Sequence, residues 1–111
     1  MILFDIFGTM HTIIKSNIKE IHEICLQHSV AELYLFGSAV SDSFNDNSDL
    51  DFAVVFKKSL NPLEHGDAFF GLLDDLEKLF NRRIDLLSYR ALKNPIFLEE
   101  VDNSKVSLYA A

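Results

Sequence analysis

Apolar residues return along this chain in two rhythms, and the switches between them divide it into elements. Ile14, Ile18, Ile21 and Cys25 recur at helical spacing, which predicts a helix from residue 17 to near residue 28 with Ser16 as its cap. Val30–Phe36 (VAELYLF) alternates loosely, is rich in strand formers and stops at Gly37-Ser38, so a strand is expected there. Residues 39–48 (AVSDSFNDNS) are small and polar and read as a short helical turn followed by a loop. Leu50–Phe56 (LDFAVVF) predicts a second strand whose far half is apolar throughout, as in a strand covered on both faces.

The second half of the chain is punctuated more sharply. Asn61-Pro62-Leu63-Glu64 combines a capping residue, a proline at the first helical position and a returning glutamate, the start of a long helix. Phe69, Leu72, Leu73, Leu76 and Phe80 mark its buried face, and it should end near Asn81. Arg83–Tyr89 (RIDLLSY) predicts a third strand, Asn94-Pro95 opens a last short helix carrying Ile96, Phe97, Leu98 and Val101, and VSLYA closes the chain. The pattern predicts one α/β domain over residues 16–111, a small mixed sheet of about three strands flanked by helices. Residues 1–15 are expected to form an N-terminal extension.

Composition narrows what such a domain does. At 111 residues and 49% hydrophobic, the chain can build a real core and is neither a disordered tail nor a fibre. Ten basic against 17 acidic residues give a net charge of −7, which argues against direct nucleic-acid binding through phosphates. A single cysteine, Cys25, excludes an internal disulfide and suits a reducing compartment. No apolar run is long enough to span a bilayer, and MILFDIFGTM lacks a basic leader and contains Asp5. A cytoplasmic protein without membrane association is expected.

The candidate chemistry lies in LFGSAVSDSFNDNSDLDFAVVF, residues 35–56. Gly37-Ser38 ends a strand and opens a turn, where backbone N–H groups can face a phosphate without a Cβ in the way. Ten residues later come Asp49 and Asp51 at the mouth of the second strand; residues two apart share a face, so both carboxylates project to one side. Asp85 sits within the apolar third strand and joins them if the two strands are neighbours. Three carboxylates this close repel one another unless cations intervene, and hard divalent ions such as Mg²⁺ suit oxygen ligands shared with phosphates. From Glu20 to Phe56 there are seven acids and no Lys or Arg, so an anionic ligand there needs a metal as counter-charge.

Gly37-Ser38, ten residues, then Asp49-x-Asp51 resembles the signature of the nucleotidyltransferase superfamily that includes DNA polymerase beta. With its short length, the acid in RRIDLLSY and the ending NPIFLEEVDNSKVSLY, the chain looks like the minimal nucleotidyltransferases over roughly residues 16–110. The resemblance implies the polymerase beta-like fold and transfer of a nucleoside monophosphate, AMP from ATP, with pyrophosphate leaving. It implies that Asp49, Asp51 and Asp85 are catalytic and hold two Mg²⁺ ions, Asp85 also helping to deprotonate the attacking hydroxyl. It places the triphosphate at Gly37, Ser38 and Ser48. Family members of this kind are antitoxins that adenylylate a HEPN-domain ribonuclease, so a HEPN partner and a homo- or hetero-oligomer are implied. Where many members carry an Arg soon after Gly-Ser, this chain has Ala39, Val40 and Ser41. That departure motivates a second reading, an antitoxin with a weak or inactive site that neutralises its partner by docking. A third is one subunit of a larger nucleotidyltransferase, its substrate held by another chain.

Other motifs weigh less. DNSDLD brushes a calcium loop but lacks the central Gly and the Glu at position twelve. ILFDIFGTM is similar to the first motif of haloacid-dehalogenase-type hydrolases, with Asp5 as nucleophile before Gly8-Thr9, yet the chain is too short for that fold's downstream Lys and acid pair. His11, His22, His28 and His65 show no zinc-binding spacing, and Cys25 lies on an apolar stripe. Arg82 and Arg83 are expected at the surface.

Overall fold

A computed structural model describes residues 12–40 and 48–111, apart from the side chains of Ser38 and Ala39. The elements run α1 (Thr12–Ser16), α2 (Ile18–Gln27), β1 (Val30–Phe36), a 3₁₀ turn (Gly37–Val40), β2 (Leu50–Phe56), α3 (Pro62–Phe80), β3 (Ile84–Ser88), α4 (Pro95–Ser104) and β4 (Val106–Ala110). The four strands lie in the order β3-β2-β1-β4. β1 is antiparallel to both β2 and β4, whereas β2 and β3 are parallel and α3 makes the crossover a parallel pair requires.

Two local expectations change. The helix does not begin at Ser16: Ser16 closes α1, its hydroxyl donating to the Thr12 carbonyl at 2.9 Å, and the chain breaks at Asn17 before α2. The Asn17 amide donates to the Ile13 carbonyl at 2.7 Å, and Ile14 is fully buried, so residues 12–15 belong to the packed body. VSLYA is a fourth strand, one more than expected, paired with β1 along Glu32–Leu35.

Elsewhere local chemistry decides as read. Asn61 and Glu64 form the reciprocal capping box, at 2.8 and 2.9 Å, and Asn94 accepts from the amides of Ile96 and Phe97. Asn81 takes the left-handed conformation (φ 49°) that closes α3.

The sheet separates two unequal layers. Leu33, Leu35, Leu50, Phe52, Val54, Phe56, Ile84 and Leu86 meet Ile14, Ile21, Cys25, Leu72 and Leu76 of the helices in the main core. Burial pushes the Cys25 thiol up to about 12. The opposite face carries a small cluster, Phe36, Ala53 and Val101, with Tyr34, Leu87, Tyr89 and Leu92 at its margin. There Lys105 stands 4.9 Å over the Tyr34 ring and 4.6 Å over the Tyr89 ring, and bonds Asp102 at 2.8 Å.

Candidate active site

The alternation of β2 sends Leu50 and Phe52 into the main core, leaving Asp51 on the thinner face. The parallel register sets Asp51 directly opposite Asp85, and the antiparallel register sets it opposite Phe36, the residue before Gly37. Asp51 and Asp85 therefore share one sheet surface, as the sequence required. Asp51 is half-buried and Asp85 exposed.

Gly37 closes the site from above. Its φ is +74°, and a Cβ added there would collide with the Oδ2 atom of Asp51. Glycine is needed twice over, for the turn and for the carboxylate lying against it. The 3₁₀ turn packs against α4, whose Phe97 meets Phe36 edge-to-face at 6.3 Å. Phe97 thus adds an apolar side chain beside the turn, and its neighbour Ile96 is exposed.

Burial first, then the negative charges of Asp85 and Asp49 and a hydrogen bond shared with Asp85, raise the Asp51 carboxyl from its ordinary 3.8 to about 6. Asp49, 46% exposed, precedes the strand and lies 3.8 Å from the Arg83 Nε. Arg82 donates to the Ser48 carbonyl at 3.0 Å, and Leu50 N–H donates to the Arg83 carbonyl at 3.3 Å. The Arg82-Arg83 pair thus pins the approach to β2, a role its expected surface position understates. The signal was its place immediately before β3, which in a parallel pair falls beside Ser48-Asp49.

The structure therefore brings Gly37, Asp49, Asp51 and Asp85 together, and Ser48 adjoins Asp49 with its carbonyl bonded to Arg82. The Ser38 side chain lies outside the described residues, as do Asp5 and the polar stretch 41–47. Among the described residues no three His, Cys, Asp or Glu side chains close into a cage that would hold an ion unaided. Asp51, whose charged form is disfavoured first by burial and then by the neighbouring carboxylates, nevertheless faces Asp85 across the strand pair, an arrangement that suits a divalent cation. Mg²⁺ commonly takes one or two carboxylates and completes its shell with water and substrate phosphates, so the donor set fits.

A parallel strand pair carrying opposed acids, an antiparallel strand ending in a glycine turn above them, and helices backing the other face define a nucleotidyl-transfer scaffold. The family model for polymerase beta nucleotidyltransferases matches residues 19–111, and the chain belongs to that family and is an enzyme of the nucleotidyltransferase kind. The chain is 27% identical over 96 residues to MJ1379 of Methanocaldococcus jannaschii, covering 82% of this chain and 94% of the relative, whose name gives protein adenylyltransferase as an inferred activity. Its fold is similar to that of a toxin–antitoxin crystal structure with AMP-PNP, with a TM-score of 0.66, 23% identity, and 86% and 74% of the two chains covered. It is also similar to a chain in the complex of a tri-AMPylated Shewanella oneidensis HEPN toxin with an MNT antitoxin, with a TM-score of 0.60, 21% identity, and 87% and 72% covered. Among the described residues no helix is long and apolar enough to cross a membrane.

Proposed function

We propose that this chain transfers AMP from ATP to a hydroxyl of a HEPN-domain partner protein, in a Mg²⁺-dependent reaction. One observation carries the reading: Asp51 and Asp85 face each other across a parallel pair with Gly37 seated on the Asp51 carboxylate. The adenylyltransferase name of the relative, and the AMP-PNP and AMPylated HEPN toxin in the similar complexes, favour adenylate and that class of partner.

In this reading Asp49, Asp51 and Asp85 hold Mg²⁺, which when bound offsets charge on the triphosphate and on the developing transition state. The Gly37 turn, with Ser38 and Ser48, receives the triphosphate through N–H and hydroxyl donors. The acceptor hydroxyl oxygen bonds the α-phosphorus, the bond to the β-phosphate oxygen breaks, and pyrophosphate leaves with that electron pair. Asp85, the exposed member of the pair, takes the hydroxyl proton. Asp51, the half-buried member, is held by its neighbours and serves as a fixed ligand.

The test is incubation with α-labelled ATP, Mg²⁺ and a HEPN partner. Label should pass to the partner, and Asp49→Asn with Asp51→Asn should lower the rate at least a thousand-fold, about 4 kcal/mol of barrier. Undiminished transfer by that variant overturns the assignment.

A further inference from the structure

The acidic site occupies the amino ends of β2 and β3. At their carboxyl ends, six residues beyond Asp51 and about 20 Å away at the usual strand rise, the chain has a second concavity. This pocket is about 280 Å³, and Lys57, Lys58, His65, Ser88 and Arg90 line it over a floor of Phe56. We propose that it is a second ligand site, taking a small molecule that bears a phosphate group.

Charge is the first argument. Acids outnumber bases 17 to 10 in the chain, yet three of the ten bases line this pocket and no carboxylate does. Neither the Lys57 nor the Lys58 ammonium group is paired with a carboxylate among the described residues. Clustered cations repel, and an anion between them removes that cost.

Preorganisation is the second. Arg90 Nη1 donates to the Phe56 carbonyl at 3.4 Å, which steadies the guanidinium at the rim. His65 lies edge-to-face on the Phe56 ring at 4.9 Å, which fixes the imidazole from the α3 side. A planar guanidinium held in place is suited to bidentate phosphate recognition, and flanking ammonium groups add charge. Because the capping box already engages the Asn61 and Glu64 amides, the site rests on side chains and not on the start of α3.

Topology is the third. The carboxyl ends of parallel strands, where a crossover helix begins, are the usual ligand position in α/β sheets. Here the acids sit at the other end, so this position is left to a second ligand. The small volume and the net charge of −7 select against a polyanion such as RNA, which the rest of the surface repels.

The experiment is an amide NMR titration of the whole chain in EDTA, with inorganic phosphate and then AMP. Saturable shifts confined to residues 57–65 and 88–90 are expected, unchanged in Asp51→Asn. Lys58→Gln with Arg90→Gln should weaken binding at least tenfold. So should Lys57→Gln with Lys58→Gln, which alters two exposed side chains and leaves the fold intact. Absence of saturable shifts in those segments, binding by both double variants as tight as the parent's, or tighter binding of a single-stranded RNA than of AMP at this pocket would each overturn the proposal.

Discussion

The two faces of the sheet divide the labour of the molecule. One meets three helices and contributes nearly all the fully buried large side chains, from Ile14 through Phe52 to Leu76. Among the described residues the other is covered by little more than α4 and buries only Phe36, Ala53 and Val101 in its cluster. β2 serves both, its even-numbered residues sealing the core while Asp51 faces out beside Asp85. The lesson is that a carboxylate pair costing free energy can be carried because the stabilising burial lies on the opposite surface of the same strand.

That division is tested most strongly by removing bulk from the thick side. Phe52→Ala should cost about 3–5 kcal/mol in chemical unfolding, while residual transfer by folded protein survives, since no reacting group is touched. If activity fell without loss of stability, the faces would not be separable. Gly37→Ala attacks the thin side. A positive φ and a Cβ driven against the Asp51 carboxylate should cost about 1–3 kcal/mol and lower the transfer rate more than Phe52→Ala does. A fully active, fully stable Gly37→Ala would deny the close approach of turn and acid.

The smallest effect has the opposite sign. The folded Asp51 carboxyl titrates at about 6 against 3.8 for the ordinary group, so the fold binds a proton more tightly than the unfolded chain does. The contribution of this residue to stability is therefore highest below pH 4 and declines as pH rises towards 6, then stays level. Without divalent ions, Asp51→Asn should remove that decline. Allowing for partial exposure, it should gain about 1 kcal/mol at pH 7.5, or about 4–8 °C in Tm. A variant less stable than the parent at pH 7.5 would show that Asp51 supports the fold after all.

The sequence disclosed most where a few neighbouring residues decide the outcome. Asn61 with Glu64, Asn94 with Pro95, and the apolar stripe on α3 needed nothing distant. The face taken by Asp51 followed from strand alternation, and Asp85 joined it once β3 lay parallel and in register beside β2, whereas Asp49 stands just before the strand. Less was legible where partners lie far apart. The break at Asn17 was masked because Ile14 continues the spacing of the next helix, and VSLYA is too short to announce a strand until β1 offers its edge. Gly37 was read as a turn former facing phosphate; its second reason, the Asp51 carboxylate, appears only across the sheet. The basic pocket draws on the ends of β2, α3 and β3, three segments with no pattern in common.

Cys25 has a practical consequence. As the lone thiol of the chain, wholly enclosed and resistant to ionisation, it is a natural reporter of opening. An alkylating reagent can reach it only when α2 separates from the sheet, so the speed of alkylation would time breathing of the native state with no engineered label.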